Sequence, residues 1–192
     1  MNYELIAIGT SWGGLQALSR LLSDLPAEIG QPIVIAQHRA VESPEGALAR
    51  LLEQHTDRVV RDAEDKDTLE PRHVYLAPPD YHLLVEAGSL ALSTEDAVQF
   101  ARPSIDVMFE TAADAYGERA IGIVLTGAND DGAAGLARIK GRGGVAIVQD
   151  PDSSERRRMP DAAIAAVDAD AILRIEEMGP FLYGLCCEVA RA

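Results

Sequence analysis

The sequence predicts an α/β fold in three layers: a mostly parallel sheet with helices on both faces and one antiparallel hairpin inserted. Three observations carry this expectation. Several short runs are apolar without interruption, as strands buried on both faces require. Amphipathic segments alternate with them and supply the crossovers that parallel strands need. In mid-chain the alternation stops, and two short apolar runs flank Ala87-Gly88, a turn signal that reads as a hairpin.

The first strand is expected at residues 5–8, followed by Gly9-Thr10-Ser11-Trp12-Gly13-Gly14. Leu15, Leu18, Leu21, Leu22 and Leu25 then recur at helical spacing until Pro26. Residues 32–38 form a second apolar run that ends in His38. A helix is expected over 44–54, with Pro44 in its first turn. Residues 58–60 are a third strand candidate, and the acidic stretch 62–70 reads as a solvated loop. A strand at 73–77 stops at Pro78-Pro79, and the hairpin occupies 83–86 and 89–92. Ser104 is placed to cap a helix carrying Ile105, Met108, Phe109, Ala112 and Tyr116, with Gly117 at its end. Strand 120–125 leads into a helix through Leu136 and Ile139. Strand 145–148, a helix opened by Pro160, strand 171–173 and a closing helix over 181–189 complete the chain. The whole of 1–192 is expected to form one domain, a length that supports a substantial core.

Composition excludes several functions. Hydrophobic residues make up 47%, too many for a disordered chain. A net charge of −14 disfavours nucleic acid and anionic membranes as partners. No apolar run reaches the roughly 18 residues that cross a bilayer, and the start has no signal-peptide pattern. Membrane insertion is not expected, and the cytoplasm is the expected compartment. Cys186 and Cys187 are adjacent, so they build no disulfide framework. No Cys/His spacing of a zinc site occurs. No metal and no cofactor are expected.

The turn at Ser11 admits three readings. A dinucleotide fingerprint needs a glycine where Ser11 stands. Gly9-Thr10-Ser11-Trp12-Gly13 fits the G-x-S-x-G of a nucleophile elbow. A serine there can also simply cap a helix. Position along the rest of the chain adds information: Ser11, His38 and Asp131 each follow the carboxyl end of an apolar strand. Parallel strands expose those ends on one edge, where ligands bind in open α/β sheets. A hydroxyl, an imidazole and a carboxylate brought together there can cleave an ester or amide. All four histidines precede residue 83, so the order is Ser, His, Asp, which is not the order of an α/β-hydrolase. Of the other histidines, His82 reads as structural, and His55 and His73 as surface or strand residues. The run Arg156-Arg157-Arg158 reads as solvated surface, or as a basic border facing an acidic partner.

Six stretches together resemble the catalytic domain of CheB-type chemotaxis protein-glutamate methylesterases. They are Gly9-Thr10-Ser11-Trp12-Gly13-Gly14; Gln37-His38; His73-Val74-Tyr75-Leu76-Ala77-Pro78; Arg102-Pro103-Ser104-Ile105-Asp106; Leu125-Thr126-Gly127 with Asp131-Gly132-Ala133; and Met159-Pro160. The resemblance covers nearly the whole chain in the same order. It implies hydrolysis of glutamate methyl esters on a methyl-accepting chemoreceptor-like protein, with release of methanol, and in many members deamidation of receptor glutamines. It places the nucleophile on Ser11, the base on His38 and the acid on Asp131, with Ala128 and Asn129 near the active site; Thr10, Trp12, Gly13, Ala128 and Asn129 are the candidate substrate-binding residues, and Trp12 can either shape the substrate mouth or simply pack. Asp131 is preferred to Asp130 because it directly precedes Gly132-Ala133. His38 is then expected between Ser11 and Asp131, with one ring nitrogen facing each. Ala128-Asn129 stands where the family commonly has Met-Gly. The family's regulators also carry an amino-terminal receiver domain, which this sequence lacks ahead of its first strand. The expectation is a stand-alone or excised catalytic domain with a separate response regulator as partner. Two alternatives remain: a hydrolase of the same mechanism with another ester or amide substrate, and a non-catalytic partner-binding module.

Overall fold

Seven parallel strands form the central sheet, in the order β3-β4-β2-β1-β7-β8-β9. The structure, a computed structural model, describes residues 2–187. The strands of the sheet are β1 (Leu5–Thr10), β2 (Ile33–Gln37), β3 (Val59–Asp62), β4 (His73–Leu76), β7 (Ala120–Val124), β8 (Val145–Gln149) and β9 (Ala171–Leu173). An antiparallel hairpin, β5 (His82–Glu86) with β6 (Ser89–Ser93), stands apart. The helices are α1 (Gly14–Asp24), α2 (Ala47–Leu52), α3 (Ile105–Tyr116), α4 (Ala133–Gly141), α5 (Arg158–Ala166) and α6 (Ile175–Cys187).

Strand side chains alternate between two cores, as the pleat requires. Ile6 and Ile8 of β1 face a core shared with Leu18, Leu21 and Leu22 of α1, Leu48 and Leu52 of α2, and Met178 and Leu182 of α6. Leu5 and Ala7 face the opposite core, with Met108 and Phe109 of α3, Leu136 and Ile139 of α4, Ala163 of α5, and Leu83 and Leu90 of the hairpin. Both faces of the sheet are therefore covered. The hairpin is fastened to α3 by Thr111, whose hydroxyl accepts from the Val85 amide at 3.0 Å, and by Tyr116, whose hydroxyl accepts from the Gly88 amide at 3.1 Å.

Strand order places the site. β2 lies on one side of β1 and β7 on the other. The helix after β1 packs on one face and the helix after β7 on the other, so the chain parts between these strands and opens a crevice at their carboxyl ends. Two glycines bring α3 to this crevice. A Cβ on Gly9 would lie 2.2 Å from Ile105 Cγ2, and one on Gly132, at φ +98°, would lie 2.7 Å from the same methyl. Their bare backbones let Ile105 wedge in and carry the first turn of α3 to the sheet edge.

Some boundaries differ from expectation. The second helix is shorter, because Gly46 adopts φ +67° and starts it at Ala47, while Glu53–His55 tightens into a 3₁₀ turn. The third strand reaches Asp62, and the acidic loop after it is not merely solvated: Ala63 is buried, and Asp67 accepts from Arg61 at 2.8 Å and from the Glu64 amide at 2.8 Å. The last helix begins at Ile175, ahead of Pro180, which removes one backbone bond. Burial of Ile175, Met178 and Leu182 on one stripe outweighs that loss. Residues 188 and 189 of the expected closing helix lie outside the described residues.

Candidate active site

The carboxyl edge brings the strand-end residues together. β1 and β2 pair Thr10 with Gln37, and the ladder continues one step further: the His38 amide donates to the Thr10 carbonyl at 3.2 Å. The Ser11 amide donates to the Thr126 carbonyl beyond β7 at 3.0 Å. Ser11 is thus stitched between the continuation of β2 and that of β7, half-buried, with its hydroxyl in no hydrogen bond among the described residues.

His38 and Asp131 are in direct contact. His38 Nε2 lies 2.7 Å from Asp131 Oδ2. Asp131 is fully buried, and its carboxylate also caps α3: Oδ2 accepts from the Ile105 amide at 2.7 Å, and Oδ1 from the Asp106 amide at 2.9 Å and the Ser104 hydroxyl at 3.0 Å. Burial pushes this carboxyl up, but the bonds from His38 and from the Asp106 and Ile105 amides outweigh it, so the net direction is down from 3.8. An ionised carboxylate only accepts, so Nε2 must carry a hydrogen. Asp130 points elsewhere. Its two oxygens take a bidentate pair from Arg158 at 2.6 and 2.7 Å, and that guanidinium holds its carboxyl below the usual range.

The other ring nitrogen differs from expectation. His38 Nδ1 faces the side-chain amide of Asn129, whose Nδ2 lies 3.1 Å away, rather than the Ser11 hydroxyl. Asn129 is long enough to reach the ring, whereas the Ser11 side chain is short and leaves the nitrogen to it.

Of the residues expected around substrate, Trp12 and Gly13 lie in the loop after β1 and Ala128 and Asn129 in the loop after β7. Trp12 is exposed; its indole N–H donates to Glu155 at 2.8 Å, and the Arg156 guanidinium lies 5.3 Å from the ring centroid. Thr10 is different. Its side chain is fully buried and donates to the Thr126 carbonyl at 2.9 Å, so it holds β1 to the next loop instead of facing outward. Of the arginine run, Arg157 pairs with Asp161 at 2.7 Å and Arg158 with Asp130, which leaves Arg156 on Trp12.

Sequence reasoning missed Asp106 as a support, whereas it read His82 as structural, as its burial bears out. Asp106 sits in the first turn of α3, 4% exposed, and its Oδ1 accepts from the Gly132 and Gly135 amides at the start of α4, at 2.9 and 2.7 Å. His82 is buried; its Nδ1 accepts from the Ser104 amide at 3.1 Å, and its Nε2 lies 3.1 Å from the Asp96 carbonyl. A cleft of about 720 Å³ opens beside His38 and Asn129, walled by Arg39, Val41, Phe100 and Arg102. Phe100 is fully exposed at φ +65°, next to Gln99 at φ +49°. A bulky residue held in that region is strained, a condition that gathers at ligand sites. Among the described residues, no group of three or more His, Cys, Asp or Glu side chains stands where it could hold a metal ion.

Fold and edge together define the class: an α/β protein whose hydroxyl, imidazole and carboxylate gather at the carboxyl edge of a parallel sheet. The model of the CheB methylesterase family matches residues 6–182, and the chain belongs to that family. A Leptospira interrogans protein, provisionally named protein-glutamate methylesterase/protein-glutamine glutaminase, is 46% identical over 186 residues, covering 96% of each chain. A Maricaulis maris protein-glutamate methylesterase/protein-glutamine glutaminase is 38% identical over 185 residues, which are 92% of this chain and 45% of that one. The crystal structure of the Thermotoga maritima CheB methylesterase catalytic domain superposes with a TM-score of 0.88 at 31% identity, covering 96% of this chain and all of that one.

Proposed function

We propose that this chain is a protein-glutamate methylesterase acting on a chemoreceptor-like protein, with Ser11 as nucleophile, His38 as base and Asp131 as the acid that holds the base. The observation that carries the reading is the 2.7 Å contact of a buried carboxylate with His38, one ladder step from Ser11. His38 Nδ1 takes the Ser11 proton as Oγ attacks the ester carbonyl, and the negative charge of Asp131 stabilises the imidazolium. Backbone amides of the glycine-rich turn around Ser11 are the donors this reading assigns to the oxyanion. His38 returns its proton to the methoxy oxygen, methanol leaves, and the acyl group remains on Ser11. Water, deprotonated by His38, then attacks the acyl carbon, and Ser11 recovers the proton as glutamate is released. A primary amide follows the same path with ammonia as leaving group, consistent with the relatives named for both activities.

No described helix is long and apolar enough to cross a membrane. In this reading residues 1–192 act as one catalytic domain in the cytoplasm, on a chemoreceptor-like protein and with a response regulator as partner.

The test is release of volatile label from methyl-labelled receptor membranes. Ser11→Ala should lower the rate by roughly three orders of magnitude or more, with unfolding unchanged, because Ser11 belongs to a turn and not to the core. A Ser11→Ala protein keeping over about a tenth of the turnover would rule out the covalent route. Wild-type protein that releases no methanol, yet is phosphonylated at Ser11, would point to another ester.

A further inference from the structure

The side chain of Asn129 has a fixed direction. Its Oδ1 accepts from the Asp131 amide at 3.3 Å, so its Nδ2 is the end turned to His38. An amide nitrogen only donates, so His38 Nδ1 must accept. Nε2 already carries the hydrogen that faces Asp131. His38 is therefore held as the neutral Nε2–H tautomer, and the single in-plane lone pair of Nδ1 is taken.

That lone pair is the one Ser11 needs. We propose that Asn129 is a positioning residue that latches the base: in the resting site its amide occupies His38 Nδ1, and Ser11 gains a base only when a ligand draws Asn129 away. This rests on the reading of Ser11 as nucleophile and His38 as base. The free Ser11 hydroxyl is the complement of the latch, because its natural acceptor is engaged elsewhere. Release needs an acceptor for Nδ2. Asn129 walls the cleft beside His38 and is half-buried, so a polypeptide entering there meets it. A carbonyl of that polypeptide, main-chain or side-chain, can take the amide hydrogen. The exchange trades one neutral hydrogen bond for another, so it is readily reversible. Hydrolysis of small reagents that fill little of the cleft is thereby held down, while a protein substrate opens its own site.

Two variants separate the hydrogen bond from the bulk of the side chain. Asn129→Leu keeps the branched outline and removes the donor, and Asn129→Gly removes both. The probe is diisopropyl fluorophosphate: a Ser11 Oγ–P bond forms, fluoride leaves, and the Ser11 proton passes to His38. Both variants should be labelled about two- to tenfold faster than wild type, the worth of one neutral hydrogen bond. A histidine 15N spectrum reads the contact itself. It is recorded in a Ser11→Ala background, where no hydroxyl can take over. Adding Asn129→Leu should move the Nδ1 resonance to that of an unbonded ring nitrogen and leave the Nε2–H signal in place. Labelling that needs Ser11 but is unchanged or slower in both variants overturns the latch alone, as does faster labelling in Asn129→Gly only, or an unmoved Nδ1 resonance. Labelling of Ser11→Ala at the wild-type rate overturns the nucleophile, and the latch with it.

Discussion

Two buried aspartates cap each other's helices, and they are not equivalent. Asp131 stands just before α4 but accepts from the start of α3; Asp106 stands in α3 but accepts from the start of α4. Each carboxylate gains from the positive end of the helix it caps, and neither is more than 4% exposed. Even so, Asp131 is pulled below 3.8 while Asp106 is pushed up to about 6. Burial raises both, and backbone amides lower both. The difference lies in the remaining neighbours. Asp131 has the imidazole of His38. Asp106 has the neutral amide of Gln99 at 3.1 Å, and it also feels the negative charges of Asp131 and Glu110. A helix N-terminus alone does not offset the burial of a carboxyl here; the imidazole decides which of the two keeps its charge below about pH 6.

The largest test of that asymmetry is to neutralise each aspartate in turn. Asp131→Asn keeps the shape but offers Nε2 an amide that can turn its N–H toward the ring, which favours the wrong tautomer and leaves the imidazolium unsupported. Loss of about 10⁴-fold in turnover is expected, the size seen when a triad acid is made an amide. Asp106→Asn retains an acceptor for Gly132 and Gly135 and removes a repulsion, so methanol release should fall by less than tenfold. Equal losses in the two variants would show that helix capping, and not support of His38, is what Asp131 supplies.

Much of this arrangement was legible in the sequence because it rests on near neighbours. The continuous apolar runs mark β1, β2, β7 and β8, and a polar residue just past such a run marks the sheet edge. That rule singles out Ser11 and His38; Asp131 stands further along its loop and is preferred to Asp130 because it directly precedes Gly132-Ala133, and it touches His38. Ser104 also reads as a cap, and its hydroxyl accepts from the Val107 amide at 3.4 Å. What stayed hidden depends on partners far apart in the chain. Asp106 looks like an ordinary first-turn acid until α4 is laid beside α3. Asn129 marks a departure from the family pattern, but its bond to His38 spans 91 positions. Phe100 carries no sequence signal, and only its backbone conformation sets it apart.

A smaller effect sharpens the comparison through pH. Asp106 keeps its proton up to about pH 6 when folded, whereas an unfolded aspartate releases it near 3.8. Between those values the native chain binds more protons than the unfolded chain, so this group's contribution to stability falls as pH rises and levels off above about 6. Each pH unit is worth about 1.4 kcal/mol, so over roughly two units the fall is on the order of 3 kcal/mol. Asp131 has the opposite sign: its contribution is present above 3.8 and is lost as pH falls through its lower folded value. Urea unfolding of wild type and Asp106→Asn from pH 4 to 8 isolates the Asp106 part. The stability difference should grow in favour of the variant up to about pH 6 and then stay constant. A difference that is flat across the range would mean that Asp106 is ionised throughout.

The smallest expected effect comes from Ser104, the hydroxyl that Asp131 has and Asp106 lacks. Ser104 is fully buried; its Oγ donates to Asp131 Oδ1 at 3.0 Å while His82 fixes its amide. Ser104→Ala removes the α3 cap and one of the bonds that hold Asp131 ionised, but the Ile105 and Asp106 amides and His38 remain. Stability should drop by about 1 kcal/mol, the usual worth of such a cap, which for a chain of this length lowers Tm by roughly 2–4 °C. Turnover should fall only a few-fold, because the contact between His38 and Asp131 does not pass through the hydroxyl. A loss of activity approaching that of Asp131→Asn, with Tm little changed, would move Ser104 from a support of the helix to a determinant of the charge on Asp131. The asymmetry between the two aspartates would then lie in that hydroxyl as much as in the imidazole.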